Sequence, residues 1–158
     1  MDGEGLEARI AALEAVEAIR LLKARYCALC DADYPPDELA VLFTEDAVWD
    51  GGPFGTHRGR AAIRAFFSGS ADRVAFAIHH VTNSAIEVTG ETATGTWYLW
   101  QPMVMRPGER ALWLAARYED RYVRTPEGWR FAHVRVVVRM LAPYEAGFGP
   151  ERIITTPG

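Results

Sequence analysis

The period of the hydrophobic pattern changes near residue 74, and this change constrains the fold more than any other feature of the sequence. Before it, apolar residues recur at helical spacing, and the predicted helices are 6–31, 37–43 and 60–67. After it, segments rich in β-branched and aromatic residues alternate with Gly-containing turns, and the predicted strands are 74–88, 92–106, 110–124 and 129–141. Helices followed by strands indicate an α+β fold, in which a cone-like, curved antiparallel (mixed) sheet packs on the N-terminal helices and leaves one apolar pocket.

Shorter features complete the predicted path of the chain. Residues 46–50 (DAVWD) are typical of a brief strand, and residues 51–59 have the Gly and Pro content of a loop. Pro102 lies inside the predicted strand 92–106 and cannot donate to a ladder. We therefore expect a bulge or a sheet edge at Pro102.

Composition and charge limit the class of protein. The chain has 158 residues, of which 49% are hydrophobic, and this suits one domain with a substantial core. The net charge is −4 and no run of Lys or Arg is long enough to follow a phosphate backbone, so nucleic acid is not an expected partner. No apolar stretch has the length needed to span a bilayer, and two cysteines without an export signal are typical of the cytoplasm.

Cys27 and Cys30 form a C-x-x-C pair, the most conspicuous motif of the chain. A redox pair of this kind has its first thiol at a helix N-terminus, where the dipole stabilises a thiolate, whereas these cysteines lie near the C-terminal end of the first helix. A zinc site needs two further ligands at matching spacing, and the sequence has no second C-x-x-C. We interpret both cysteines as small, buried packing residues.

The tyrosine and aspartates beside the cysteines are better candidates for chemistry. Tyr26 lies on the apolar stripe of the first helix, so its hydroxyl needs a partner. A negative charge at a helix C-terminus is unfavourable, which suggests that Asp31 has a His or Arg partner; the alternative is that Asp31 and Asp33 only cap and solvate the turn before Pro35. Periodicity alone pairs Tyr26 with Asp33, seven residues away, rather than with Asp31.

His79 and His80 are adjacent in a predicted strand, so one faces the pocket and the other faces away. An imidazole inside an apolar pocket is suited to act as a general base, because it titrates close to working pH. The alternative is a core histidine that is bonded to a backbone carbonyl. Both interpretations remain open at this point.

The other histidines and two arginines of the last strand have less definite assignments. His57 and His133 are interpreted as structural or exposed. Arg135 and Arg139 are four residues apart, and one of them is expected to bind a carboxylate or carbonyl oxygen in the pocket, unless both pair with acids on an exposed face. No histidine pairing with a carboxylate indicates a metal, so we expect chemistry without a metal or other cofactor.

Five segments, taken in order, resemble one known family: LLKARYCALCDADY, LAVLFTEDAVWDGG, GTHRGRAAIRAFF, HHVTNSAIEVTGETATGTWYLW and EGWRFAHVRVVVRML. The chain is similar to the SnoaL-like branch of the nuclear-transport-factor superfamily, and within it to dehydratases such as scytalone dehydratase and bile acid 7α-dehydratase. The resemblance covers about 8–145, leaves a C-terminal tail of about 146–158, and implies one domain, 1–158. Many chemistries share this cone-shaped scaffold.

The resemblance implies roles for particular residues. The implied catalytic set is Tyr26, Asp31, His79 and Arg139. Scytalone dehydratase has a tyrosine where this chain has Cys30, which argues against scytalone as the substrate. The expected substrate-binding residues are Trp49, Asp50, Phe54, Asn83, Trp97, Gln101 and Trp113, with Phe76 as a further apolar wall.

These roles imply a cofactor-independent lyase that dehydrates a hydroxylated apolar ring ketone, such as a steroid or polyketide intermediate. Asp31 would orient His79, and His79 would remove a proton beside the carbonyl. Tyr26 would bond the leaving hydroxyl or the enolate, and Arg139 would hold a polar end of the substrate. The alternatives are an isomerase or cyclase using the same pair, a non-catalytic binder, or an assembly subunit like those of ring-hydroxylating dioxygenases. A homodimer and a homotrimer are both consistent with the resemblance.

Overall fold

A 30-residue helix, α1 (Asp2–Asp31), lies across the concave face of a curved, unclosed sheet of seven strands. The computed structural model describes residues 2–147, 149 and 153, with side chains from residue 5 onward. The other helices are α2 (Pro36–Ala40), α3 (Arg60–Ser68) and α4 (Ser70–Arg73), and Gly52–Phe54 forms a 3₁₀ turn. The strands are β1 (Phe43–Asp50), β2 (Thr56–Arg58), β3 (Val74–Ala77), β4 (His80–Thr89), β5 (Thr92–Met105), β6 (Arg110–Thr125) and β7 (Gly128–Pro143).

The strand order is β2-β1-β7-β6-β5-β3, and β4 also pairs with β5. Strands β4 to β7 form the predicted antiparallel meander. Strand β1 runs parallel to β7, so the sheet is mixed. The predicted α+β fold, with a cone-like sheet packed on the N-terminal helix, is confirmed.

Several element boundaries differ from the sequence prediction. The predicted strand 74–88 is divided into β3 and β4, and the predicted loop 51–59 contains the short strand β2. The second helix was predicted to extend to Phe43 but ends at Ala40. The strand predicted at 46–50 begins earlier, at Phe43. A strand of three or four residues has too few alternating apolar and polar positions to be distinguished from a loop by its sequence. Most of the predicted tail, 146–158, lies outside the described residues.

Pro102 faces the break between β3 and β4. Strand β3 pairs with β5 up to Met103, and β4 pairs with β5 from Trp100, so Ile78 and His79 lie opposite the two residues between these ends. The Ile78 N–H donates to the Pro102 carbonyl at 3.2 Å, but a proline has no N–H with which to bond in return. The expected irregularity at Pro102 is therefore found in its partner strand, and it leaves the His79 backbone outside the ladder.

Helix α1 buries one stripe of residues against the sheet, spaced three or four apart: Ile19, Leu22, Lys23, Tyr26, Cys27 and Cys30. The prediction that both cysteines are buried is confirmed. Burial raises the pKa of both thiols, that of Cys27 to about 11, which keeps them protonated. The N-terminal half of α1 leaves Leu6, Ile10 and Leu13 exposed. None of the described helices is long and apolar enough to cross a membrane.

Helix α1 ends at Asp31 because the next residues turn into the left-handed region. Asp33 and Tyr34 have φ values of 61° and 56°, and the Tyr34 N–H closes the turn by donating to the Leu29 carbonyl at 3.1 Å. Aspartate tolerates this conformation better than most residues. The turn places the Asp31 side chain at the sheet edge where β3 and β4 separate.

Lys23 and Asp120 form a fully buried ion pair between α1 and β6. The Lys23 Nζ lies 2.9 Å from Asp120 Oδ2 and 3.2 Å from the centre of the Tyr118 ring. The Tyr122 hydroxyl donates to the same carboxylate oxygen at 2.9 Å, while Oδ1 is buried without a partner among the described residues. Burial raises the pKa of Asp120 despite the opposing effect of Lys23. The pair therefore fixes the position of α1 on the sheet at an appreciable desolvation cost.

We predict that Lys23→Met lowers the free energy of unfolding by about 3–5 kcal/mol, because it leaves a buried carboxylate without its counter-charge. The double variant Lys23→Met/Asp120→Leu should lose much less free energy of unfolding, since both buried charges are removed. Urea unfolding of the variants measures the difference. Arg20→Met is the control one turn earlier, because Arg20 is exposed and pairs only loosely with Glu17; it should change stability by under ~0.5 kcal/mol. A Lys23→Met protein as stable as the native one would contradict the prediction.

Candidate active site

A cavity of about 270 Å³ opens between α1, the α3–α4 segment and the concave face of the sheet. Its walls are mainly apolar and aromatic, and include Trp49, Phe54, Phe66, Phe67, Leu99 and Met103. A few polar side chains also reach it, namely Tyr26, Tyr34, Ser70, Arg73, His79, Gln101 and Tyr118. An apolar cavity with a small number of convergent polar groups is typical of a small-molecule site.

Asp31 and His79 form a close pair at the wall of this cavity. Asp31 is the last residue of α1, and His79 lies in the break between β3 and β4. The Asp31 Oδ1 and His79 Nδ1 atoms are 2.6 Å apart, and the His79 backbone N–H donates to Oδ1 and Oδ2 at 3.0 and 3.3 Å. One carboxylate therefore holds both the backbone and the ring of His79.

The two members of this pair differ in their exposure. The His79 side chain is 7% exposed, whereas that of Asp31 is 29% exposed. The Tyr34 ring packs edge-on against the imidazole, with 6.5 Å between ring centres. Because His79 Nδ1 is hydrogen-bonded to Asp31, Nε2 is the ring nitrogen that can contact a molecule in the cavity. Nε2 has no hydrogen-bond partner in the part of the chain that the structure describes.

Tyr26 presents a buried hydroxyl to the cavity. The Trp49 Nε1–H donates to this hydroxyl oxygen at 3.0 Å, and the indole is a donor only, so the Tyr26 O–H proton is not used in that bond. Burial raises the pKa of Tyr26, which keeps the phenol protonated. Trp49 can approach because Gly51 has no side chain, since a Cβ there would lie 2.4 Å from the indole ring.

The structure brings six of the predicted site residues together. Five of them line the cavity: Tyr26, Trp49, Phe54, His79 and Gln101. The sixth, Asp31, reaches it through His79. Gln101 is buried, and its Nε2 makes a long contact of 3.7 Å with the Met103 sulfur. Its amide therefore has further hydrogen-bonding capacity.

Three predicted pocket residues lie on the opposite face of the sheet. Alternation points Trp113 and Asp50 outward, and a register shift between Val74 and Phe76 turns Phe76 outward. Trp113 lies between the buried residues Leu112 and Leu114 and stacks on Trp100, with 5.2 Å between ring centres. Asp50 accepts hydrogen bonds from the Gly52 N–H and the Thr56 hydroxyl and lies 3.8 Å from Arg135. Phe76 is 49% exposed. These expectations are corrected by the structure.

Trp97, Asn83 and Arg139 also do not line the cavity. Trp97 faces inward but lies deeper in the cone, where its Nε1–H donates to the Tyr122 hydroxyl at 3.1 Å. Asn83 is exposed at an irregularity of β4 and has a φ of 51°. Arg139 is exposed at a bulge, because β7 shifts register against β6 between Val138 and Met140. The expectation that Arg139 or its neighbour Arg135 reaches the pocket is therefore corrected.

The remaining histidines lie outside the cavity. The His80 Nδ1 lies 3.2 Å from the Trp100 carbonyl oxygen on the outer side of the sheet. His57 stacks on Phe66, with 4.2 Å between ring centres, and burial lowers its pKa. His133 pairs with Arg121, and burial lowers its pKa too. Within residues 2–147, 149 and 153, no three His, Cys, Asp or Glu side chains are grouped so that they could hold a metal ion.

Sequence reasoning missed four polar residues of the cavity, Tyr34, Ser70, Arg73 and Tyr118. Tyr34 stacks on Phe67, and burial raises the pKa of its hydroxyl. Tyr34, Ser70 and Arg73 lie in or beside short turns, where no hydrophobic period exists to assign them to a face. Tyr118 lies in β6, where alternation points it inward. Tyr34 follows the predicted first helix, and Ser70 and Arg73 lie between the predicted helix 60–67 and the predicted strand 74–88. These positions do not show where a side chain points.

Comparisons with known proteins agree with this fold. The profile of the SnoaL-like domain matches residues 11–135. An uncharacterized protein of Mycobacterium tuberculosis is 34% identical over 97 residues, which span 60% of this chain and 65% of that protein. The chain thus spans about two thirds of the length of this curated relative.

Two solved structures from Novosphingobium aromaticivorans have the same fold. A candidate aromatic ring hydroxylase is 30% identical with a TM-score of 0.77, and the match covers 83% of this chain and 94% of that one. A candidate scytalone dehydratase is 24% identical with a TM-score of 0.76, covering 84% and 89% of the two chains. The chain belongs to the SnoaL-like domain family, and its curved sheet has the cone-shaped fold of the nuclear-transport-factor superfamily.

Proposed function

We propose that this protein is a cofactor-independent lyase that removes water from a hydroxylated, mostly apolar ring ketone. The observation that carries the proposal is the 2.6 Å contact between Asp31 and His79 at the wall of an apolar cavity. A binding protein has no need of a carboxylate that orients an imidazole, whereas general base catalysis does. The likeness to a candidate scytalone dehydratase, at 24% identity, bears on the fold alone, so the proposal depends on this pair.

Asp31 determines which nitrogen of His79 acts. A carboxylate is an acceptor, so it selects the tautomer with the proton on Nδ1 and leaves the lone pair on Nε2. Nε2 then takes a proton from the carbon next to the substrate carbonyl. The resulting imidazolium is stabilised by the adjacent carboxylate, and this interaction is strengthened because the ring is shielded from water.

Tyr26 stabilises the charge that this step creates. When the C–H bond breaks, its electron pair moves towards the carbonyl oxygen and forms an enolate. The Tyr26 hydroxyl keeps its proton because burial raises its pKa, and its oxygen is fixed by Trp49. A fixed, buried donor of this kind stabilises an oxyanion more than it stabilises a neutral ketone.

The second half of the reaction returns the proton. The enolate re-forms the carbonyl, a C=C double bond forms, and the C–O bond to the hydroxyl on the next carbon breaks. The imidazolium of His79 donates its proton to the departing oxygen, so that water leaves and His79 is neutral again. No electron acceptor is required. Isomerisation or ring closure would share the first half of this sequence and differ in where the proton goes.

We predict that His79→Ala and Asp31→Asn each lower the rate of dehydration of 3-hydroxycyclohexanone by ~10²–10⁴, the usual contribution of a general base. The double variant should be little slower than the slower single one, because residues that act as a unit are not additive. Formation of the conjugated enone is followed by ultraviolet absorbance. His80→Ala is the matched control, since His80 lies on the outer side of the sheet, and it should keep the native rate.

Proton NMR in heavy water separates the alternatives. Exchange of the proton beside the carbonyl without loss of water would favour an isomerase. Neither exchange nor dehydration, together with binding of the ketone, would favour a binding protein. Losses that add up in the double variant would show that the two residues do not act as a unit. A large subunit that copurifies with the chain would favour an assembly role.

A second prediction concerns Tyr26. Tyr26→Phe should lower the maximal rate by ~10²–10³ and leave substrate affinity nearly unchanged, because the hydroxyl acts where negative charge develops. It should also cost about 1–3 kcal/mol of stability, since the buried Trp49 N–H loses its acceptor. Steady-state kinetics and thermal unfolding measure the two effects. Tyr98→Phe, at an exposed position of β5, is the control. Full turnover by Tyr26→Phe would refute the role of Tyr26 as the oxyanion donor.

A further inference from the structure

Arg73 brings a positive charge into a cavity that is otherwise mostly apolar. It is the last residue of α4 and lines the cavity together with His79. The cation expected in this pocket from the sequence was Arg139, which the structure places outside. Arg73 therefore has the position in the cavity that a substrate-binding cation requires.

The guanidinium of Arg73 is held in a defined position. Its Nη2 donates to the Phe66 carbonyl at 3.2 Å and to the Ser70 hydroxyl at 3.1 Å, and its Cζ lies 5.0 Å from the centre of the Phe66 ring. The absence of a side chain at Gly69 leaves space for the Arg73 Nη1 atom, because a Cβ at this position would lie 2.9 Å from Nη1. The backbone, a buried serine and an aromatic ring thus orient the cation before a ligand binds.

The charge of Arg73 is not neutralised by the protein. The nearby arginines Arg60 and Arg64 pair with Glu45 and Asp37, whereas no carboxylate in the described part of the chain pairs with Arg73. Its charge acts on the cavity wall, where it opposes the rise that burial causes in the pKa of Tyr34. A fixed cation beside an apolar cavity is suited to bind one anionic group of a ligand.

We propose that the substrate of this cavity carries a carboxylate, which Arg73 binds while the ring of the same molecule lies against His79. This rests on the proposed function, and it names the class of substrate: a small cyclic keto acid with a hydroxyl group. A cavity of about 270 Å³ is slightly smaller than most ligand pockets, which have about 300–1,000 Å³. It therefore suits a monocyclic or bicyclic acid better than a tetracyclic steroid.

Binding of two matched probes tests the inference without any need for turnover. Cyclohexanecarboxylate and cyclohexanecarboxamide have the same ring and nearly the same shape, and only the first is charged. NMR titration should show that the native protein binds the carboxylate about tenfold more tightly, the contribution of one charge-assisted hydrogen bond. Arg73→Met should bind both probes equally. Equal binding of the probes by the native protein, or no binding of either, would overturn the inference.

Three further variants identify the cation that is responsible. Gly69→Ala keeps the charge but displaces the guanidinium, and its fold should survive because the obstacle is the tip of a flexible side chain; it should lose most of the preference for the carboxylate. Arg106→Met is the control, because Arg106 is a neighbouring cation that bonds the Ala71 carbonyl outside the cavity, and it should keep the preference. His79→Ala should also keep it. A preference that persists in Arg73→Met, or disappears in His79→Ala, would overturn the inference, whereas failure of the dehydration assay alone would not.

Discussion

The carboxylate of Asp31 accepts hydrogen bonds from the backbone N–H and the ring of His79, and the site depends on this contact between the end of α1 and the sheet. A negative charge at a helix C-terminus is unfavourable by itself, and these donors offset the cost. The His79 N–H is free to donate because β3 and β4 separate opposite Pro102. A proline in β5, a left-handed turn after α1 and a histidine between two strands therefore combine to orient one imidazole.

The rest of the cone protects and supports this pair. The cavity places the imidazole beside aromatic side chains, where electrostatic interactions are stronger than in water. The Trp49–Tyr26 hydrogen bond fixes a protonated phenol in the same cavity. Below it, the buried pair of Lys23 and Asp120 fixes α1 against β6. A buried ion pair is weak evidence for stability, but this one joins α1 to β6 on the same buried stripe of the helix as Tyr26.

The sequence predicted the helices, the meander and the inward stripe of α1, because these features have a period over many residues. It could not decide between Asp31 and Asp33, and periodicity alone favoured Asp33. The reason is that the helix ends at Asp31, so a helical spacing no longer applies two residues later. The resemblance to known dehydratases selected Asp31 because those proteins have an aspartate at the end of the corresponding helix.

Other errors have equally local causes. Trp113 and Phe76 were expected to form walls because they are large and apolar. Alternation places Trp113 on the outer face, and a register shift in β3 places Phe76 there. Arg139 occupies a bulge that no pattern marks. Arg73 was missed because a four-residue helix has no measurable period. Lys23 had a signal, since it is a charged residue on an otherwise apolar stripe. The orientation of side chains at strand breaks, bulges and short turns thus cannot be predicted from periodicity.

The tautomer of His79 tests the central claim most directly. Long-range proton–nitrogen NMR of the isotope-labelled protein, at a pH where the ring is neutral, distinguishes a protonated ring nitrogen from a bare one. If Asp31 orients the imidazole as a base, His79 has its proton on Nδ1 and a bare Nε2, and Asp31→Asn disturbs this preference. A proton on Nε2 in the native protein would contradict the account, because no lone pair would then face the cavity.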